Sequence, residues 1–365
     1  MNKNLLLVID DLGSGGAQNQ ITILAKGLSE NGYNVSLLVY HPSDFFAYRL
    51  KDTKVEIIYH QKTSKLGVGV ILFLRKTIVA KKIDVVISFL ETPNFFASVA
   101  AKILTRRRLF ISYRSSTDFE NRSYLSLLKL RFCNHLSDSI VANSHHERKN
   151  WNSRVPRQKD KWHTIYNAVE KSEPPLEDLS TKDDYLVVGS VGPAKNGLLV
   201  IEALKLLAEK NKKIKINWIG QQVFHLEDRR LYLEQMNRLL EQYQLESQWK
   251  WTLPTQEINH EYRTHKALIL ASQTEGLPNV VCEAMAEGLP CLVSDTLDHP
   301  LLIEDNKTGF LFDPKDPTDL AEKINMLEQL SPERYAEMKK NCKSKADELF
   351  GVDNFVKQYI SLIEL

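Results

Sequence analysis

The sequence predicts an α/β protein made of two Rossmann-like units, each a parallel sheet with helices on both faces. Three observations carry this. Short, nearly continuous apolar runs alternate with segments of helical period, and such runs fit strands buried on both faces. The alternation stops at a polar stretch with two prolines, KSEPPLEDLSTKDD (171–184), and then begins again. A chain of 365 residues that is 43% hydrophobic is also long enough for two separate cores.

Each element follows from its own pattern. NLLLVIDD (4–11) reads as the first strand, residues 18–29 as a helix and NVSLLVY (34–40) as the next strand. KKIDVVISFL (81–90) and RRLFISYR (107–114) are buried strands separated by the helix PNFFASVAAKIL, and DSIVANS (138–144) and WHTIYNAV (162–169) continue the series. After the polar stretch come strand YLVVGSV, helix GLLVIEALKLLAEK, strand KIKINWIG and an amphipathic helix over about residues 225–245. Strands WKWTL and ALILAS, helix NVVCEAMAE and strand PCLVSD complete the unit. The expected division is a first domain at 1–170, a linker at 171–184 and a second domain at 185–345, with a cleft between the domains. Ligands are expected at the carboxyl ends of the strands.

Composition removes several classes of function. Cys133, Cys282, Cys291 and Cys342 are too far apart for a C-x-x-C pair, and no zinc-ligand spacing is present, so no metal is expected. The apolar run at the N-terminus meets acids and glycines where a signal peptide would continue, and no stretch reaches the length of a membrane span. A cytoplasmic protein is expected. Residues 1–170 carry 25 Lys and Arg against 14 Asp and Glu, whereas residues 171–365 carry 23 against 32. The basic half suits an anionic partner or membrane surface, or it is an excess of solvated lysines. It shows no nucleic-acid module, and no nucleic-acid partner is expected.

Three loops hold candidate chemistry. LGSGGAQ (12–18) follows the first strand, and Gly15 and Gly16 let the backbone approach a phosphate or sugar at a helix N-terminus. A tight strand-to-helix turn without a ligand is the alternative for these residues. A nicotinamide-binding site would add an acid at the end of the second strand, where the chain has Val39-Tyr40-His41. VGSVGPAKNG (188–197) repeats the arrangement, with Lys195 placed either to neutralise a diphosphate or simply as an exposed turn lysine. SQTEGLPNVVCEAMAEGLP (272–290) sets Glu275 on the exit loop of a strand and Glu283 about one turn inside the next helix, with Asn279 as its N-cap and Gly288 as its stop. A carboxylate in an apolar run needs a hydrogen-bonding partner. Carboxylates accept well from vicinal diols, and a sugar nucleotide would satisfy both acids and the helix N-terminus; the alternative is a solvated or salt-bridged helix residue at Glu283 and a plain loop acid at Glu275.

EGLPNVVCEAMAEGLP resembles the E-x7-E signature of retaining glycosyltransferases of family 4. GGAQ, DVVISFL, the NS at 143–144, IYNAV and the Lys195 loop extend the resemblance over nearly the whole chain. The resemblance implies two facing Rossmann-like domains of GT-B type with the active site in the interdomain cleft. It implies that Glu275 faces the donor sugar, that Gly276, Leu277 and Pro278 meet sugar and phosphate, that Glu283 holds the ribose, and that Lys195 contacts the diphosphate. Ser190 stands where the family usually has a phosphate-binding arginine. Arg114 stands where many members have an acceptor-side histidine, with a catalytic role or as an ion-pair partner. Residues 346–365 are expected to form a C-terminal helix that packs back on the first domain.

The implied activity is transfer of a hexose or N-acetylhexosamine, with retention, from a nucleoside-diphosphate sugar, UDP favoured. The implied acceptor is a glycan or a polyprenyl-diphosphate-linked glycan, in bacterial surface polysaccharide or glycoconjugate synthesis. Metal-using relatives of this chemistry carry an Asp-x-Asp pair, which this chain lacks, so no cofactor is expected. SKLGVGVILFLRKTIVAKK (64–82), apolar with basic ends, is either a core-packed helix or a peripheral membrane contact. Two rivals remain: a silent sugar-nucleotide-binding subunit, and an NAD-dependent oxidoreductase built on the first glycine loop.

Overall fold

The structure is a computed structural model that describes residues 3–114, 117, 119–170, 183–222, 226–273 and 275–365. It divides into two compact units, one of residues 1–168 with 351–365 and the other of residues 169–350. Most of the expected linker, residues 171–182, lies outside the described residues.

The first unit contains β1 (Asn4–Val8), α1 (Gly16–Glu30), β2 (Asn34–Val39), β3 (Glu56–Tyr59), α2 (Val68–Ala80), β4 (Val85–Phe89) and α3 (Glu91–Ala97). It continues with β5 (Arg108–Tyr113), α4 (Tyr124–Leu136), β6 (Ser139–Ala142), α5 (His145–Arg154) and β7 (Trp162–Thr164). The second unit contains β8 (Asp184–Val188), α6 (Gly197–Glu209), β9 (Lys215–Ile219), α7 (Glu227–Gln242), β10 (Trp249–Thr252), α8 (Ile258–Thr264) and β11 (Ala267–Leu270). After these come α9 (Asn279–Ala286), β12 (Cys291–Ser294), α10 (His299–Leu302), β13 (Gly309–Phe312), α11 (Pro317–Glu328) and α12 (Pro332–Phe350). The last helix, α13 (Val352–Glu364), returns to the first unit.

Both sheets are parallel. Their orders are β3-β2-β1-β4-β5-β6-β7 and β10-β9-β8-β11-β12-β13. Strand order reverses between β1 and β4 and again between β8 and β11. At such a reversal the two exit loops diverge and leave a crevice at the carboxyl edge. In β1, Leu5 and Leu7 enter one apolar cluster while Leu6 and Val8 enter another, as the period of two requires of a strand buried on both faces.

α13 is an integral part of the first unit. Phe355, Val356, Tyr359, Leu362 and Ile363 join the cluster of α1 and β1, each burial contributing about 1.5–3 kcal/mol. α1 meets this helix at Gly27, where a Cβ would come within 2.3 Å of Val356. Lys3 Nζ and Arg108 Nη1 donate to the carbonyl of Ile363 at 2.9 and 2.8 Å, which satisfies the end of the helix.

The structure differs from the sequence reading in several places. Residues 346–365 are two helices broken at Gly351, not one. The helix read at 93–104 begins at Glu91 and widens into a π-helix over Ser98–Leu104. There Ser98 Oγ donates to the carbonyl of Asn94, and Thr105 Oγ1 donates to those of Ala100 and Ala101, in competition with the α-helical ladder. Strands β3 and β13 have short or weakly apolar sequences and were not anticipated. α9 is capped by Pro278, with Asn279 as its first helical residue, because the Pro278 carbonyl receives the amides of Val281 and Cys282. Gly288, at φ +81°, ends the helix as expected.

Candidate active site

The candidate donor-binding residues converge at the carboxyl edge of the second sheet, where the order reverses between β8 and β11. The loop leaving β8 passes Gly189 at φ +140°, half-buried Ser190 and a short 3-10 turn, Pro193–Lys195, before α6 begins. A Cβ on Gly189 would lie 2.9 Å from Lys195 Cε, so the lysine chain packs over that glycine. The loop leaving β11 lies beside it, and the amide of Gln273 donates to the carbonyl of Ala194 at 3.3 Å.

Lys195 and Glu275, 80 residues apart, form an ion pair with Nζ 2.5 Å from Oε1. Their side chains are 22% and 21% exposed, which leaves both accessible to a ligand. Gly276 is half-buried, Leu277 and Pro278 are buried, and the N-terminus of α9 follows directly. The helix dipole and the amides of the first turn favour an anion there.

Glu283 is half-buried on α9, and Tyr262 from α8 donates its hydroxyl to Oε2 at 3.0 Å. Among the described residues Oε1 takes no hydrogen bond. Burial pushes the carboxyl above the usual carboxylate range, and the Tyr262 hydrogen bond only partly opposes this. Arg263 Nε, next in sequence, donates to Glu287 Oε2 at 2.6 Å and fastens α8 to α9 a turn further on. Among the described residues the acid therefore has one hydrogen-bonding partner, and its other oxygen can accept from a ligand.

Two further groups stand at this edge. His299 is fully buried, and its Nδ1 lies 2.8 Å from the carbonyl of Ser294, which can only accept, so Nδ1 carries the proton. Burial pushes this histidine below its ordinary pKa, which favours the neutral form, and among the described residues its Nε2 has no hydrogen-bond partner. Ser294 Oγ donates to the carbonyl of Ser272 at 2.6 Å, and Ser272 Oγ is buried without a partner among the described residues. Sequence reasoning missed Tyr262, Ser272 and His299. The position of His299 just beyond β12 was the available signal for it, whereas nothing local marks Tyr262 as the partner of an acid 21 residues away.

In the first unit, Gly15 caps α1 and Gly16 is its first residue, at the carboxyl end of β1. The Gln18 side chain lies over Gly15, 2.2 Å from where a Cβ would be, and its Nε2 donates to Asp10 Oδ1 at 3.2 Å. Asp11 Oδ1 receives the amide of Gly13 at 2.7 Å. The loop is thus closed by its own side chains. Arg114 follows β5. Its Nη1 donates to Asn167 Oδ1 at 2.9 Å, its Nη2 bonds the Tyr359 hydroxyl, and the guanidinium stands 4.3 Å from the Phe89 ring centroid. Here the ion-pair alternative is replaced by neutral partners and an aromatic face: the arginine ties β5 to α13. No group of three or more potential metal ligands occurs among the described residues.

Two family profiles cover the chain almost end to end. Glycosyltransferase Family 4 matches residues 14–173, and Glycosyl transferases group 1 matches residues 169–345. The chain belongs to the glycosyltransferases of family 4. It is 27% identical, over 98% of its length and 97% of the relative's, to the GalNAc-alpha-(1->4)-GalNAc-alpha-(1->3)-diNAcBac-PP-undecaprenol alpha-1,4-N-acetyl-D-galactosaminyltransferase of Campylobacter jejuni. Over 49% of its length and 46% of the relative's it is 29% identical to the UDP-Gal:alpha-D-GlcNAc-diphosphoundecaprenol alpha-1,3-galactosyltransferase of Escherichia coli. Its fold is that of Anabaena Alr3699/HepE, solved in complex with UDP and glucose, with a TM-score of 0.82, 18% identity and full coverage of both chains. TarM shares the fold with a TM-score of 0.74 and 13% identity over 99% of each chain. The enzyme is a glycosyltransferase with the two-domain GT-B fold.

Proposed function

We propose that this glycosyltransferase moves a hexose or N-acetylhexosamine from a UDP-sugar, with retention, to a polyprenyl-diphosphate-linked glycan. The observation that carries the donor half is the Lys195–Glu275 pair at the strand-order reversal, with Glu283 one helix turn beyond. The diphosphate takes the Lys195 ammonium from Glu275 and meets the amides at the start of α9. Glu275, released from the lysine, turns to the sugar hydroxyls, and Glu283 Oε1 accepts from the ribose. Gly276, Leu277 and Pro278 line the sugar and phosphate, and Ser190 leaves the phosphates to Lys195 and the helix dipole.

Departure of UDP is the demanding step. Charge that develops on its phosphate meets a fixed ammonium and fixed dipoles, which need no reorganisation during reaction. The acceptor hydroxyl attacks from the face the phosphate leaves, and a phosphate oxygen takes its proton. This scheme requires neither a protein nucleophile nor a metal, and the absence of an Asp-x-Asp pair in the sequence supports it. The names of the Campylobacter and Escherichia relatives support a lipid-linked acceptor. The basic first half supports a peripheral station on an anionic membrane.

The test is a thermal-shift screen against UDP- and GDP-sugars, followed by a UDP-release assay with a polyprenyl-diphosphate-linked glycan in buffer containing a chelator. A shift with a UDP-sugar and acceptor-dependent UDP release are expected. Binding without release, with or without acceptor, would establish the silent subunit instead.

A further inference from the structure

Helices α2, α3 with its π continuation, and α4 form one layer on one face of the first sheet, packed through Leu74, Ile78, Ala97, Ala101, Leu130 and Cys133. A helix in such a layer normally turns its polar side outward. α4 does the reverse. Tyr124 and Leu125 are 71% and 76% exposed, and Leu128 and Phe132 continue the same outer face at helical spacing. α2 repeats the pattern with Leu72 and Val79, at 56% and 59%.

Charge within these helices is almost wholly basic, although the acids Glu120 and Asp138 flank α4 in the chain and Asp138 pairs with Lys102. α2 and α4 contain no acid, and the one acid of α3 and its continuation, Glu91, is held by Arg122. Arg75 and Lys76 stand exposed on α2, Arg131 on α4, and Arg106 and Arg107 just beyond the π-helix. No helix among the described residues is long and apolar enough to cross a membrane. Exposed apolar side chains flanked mainly by cations, on helices too short to span, have the chemistry of an interfacial contact with an anionic bilayer.

We propose that the outer faces of α2 and α4 dock the first unit onto an anionic lipid bilayer, with Tyr124, Leu125 and Leu128 inserted at the headgroup boundary and Arg75, Lys76 and Arg131 on lipid phosphates. This builds on the lipid-linked-acceptor reading and assigns it a surface. α4, which the sequence did not single out, contributes the larger exposed apolar side chains.

The test is flotation of the full-length chain with vesicles of phosphatidylcholine, and of phosphatidylcholine mixed with phosphatidylglycerol. Binding is expected only to the mixed vesicles and should fall as salt is raised. The Tyr124→Ser/Leu125→Ser variant changes two exposed side chains and is expected to bind the mixed vesicles at least about tenfold more weakly. Arg131→Ser should reduce the dependence on phosphatidylglycerol content. Both variants should keep wild-type affinity for UDP, measured by calorimetry. No binding to either vesicle, equal binding to both, or undiminished binding by the Tyr124→Ser/Leu125→Ser variant each overturns the proposal. So does a wild-type dimer that the same variant splits, which would make a second copy the partner. Loss of UDP binding by the wild type would instead count against the donor site and leave the vesicle result standing.

Discussion

Replacing Glu283 with Gln separates ligand binding from stability. In the proposed donor complex the carboxylate serves the Tyr262 hydroxyl on Oε2 and a ribose hydroxyl on Oε1. A carboxamide has one acceptor oxygen. If that oxygen stays on Tyr262, the amide nitrogen faces the ribose with a donor where an acceptor is required. If it turns to the ribose, the buried Tyr262 hydroxyl loses its acceptor. Either way a hydrogen bond to a charged group is lost, about 1.5–3 kcal/mol, or roughly 10- to 150-fold in the UDP dissociation constant. Stability should move the other way. Burial raises the folded-state pKa of Glu283, so its stabilising contribution is full below the unfolded pKa and disappears as pH rises through the folded one. The Gln variant should therefore melt higher than the wild type at neutral pH, and this gain should vanish in acid. Calorimetry with UDP and melting curves across the acid range read both effects. Unchanged UDP affinity together with a lower melting temperature at neutral pH would refute the ribose assignment and make Glu283 a structural acid.

Further outcomes follow from the same contacts. Lys195→Ala should weaken UDP and UDP-sugar alike, whereas Glu275→Gln should leave UDP affinity unchanged or improved, since the carboxylate no longer competes for the ammonium, while turnover collapses; calorimetry paired with a transfer assay distinguishes them. UDP affinity of the wild type should fall as pH drops through the raised pKa of Glu283, and Tyr262→Phe, which removes the opposing hydrogen bond, should move that fall to higher pH in a binding titration. Arg114→Ala should destabilise the protein by about 1–3 kcal/mol in denaturant unfolding, because Tyr359 and Asn167 lose its donors, with UDP affinity retained.

The alternation of strands and helices was legible because parallel strands buried on both faces must be almost wholly apolar, as β1, β4 and β11 are. What escaped was set by tertiary contact. β3 is an edge strand whose EIIY carries only two aliphatic residues, and the break at Gly351 reflects a chain passing from one core to another, which no local period encodes. The widening at Ser98 comes from hydroxyls competing for carbonyls, a choice that serine content alone does not fix.

The site was legible to a different depth. Spacing put Glu275 and Glu283 on a strand exit and a helix, because an apolar strand, a Gly-Leu-Pro turn and a helix-period run are local signals. Pairing was not local. Lys195 meets Glu275 across 80 residues because β8 and β11 are neighbours in the sheet, and Tyr262 meets Glu283 because α8 lies against α9. Arg114 shows the limit of reasoning by position alone. The resemblance placed it at an acceptor-side site, yet α13, more than 200 residues later in the chain, brings Tyr359 to its guanidinium and Phe355 to its flank. With Asn167, Tyr359 and two aromatic rings around it, this side chain is held by packing at the end of β5, and a ligand would have to displace those partners to use it. Arg114→Ala should therefore register first in stability.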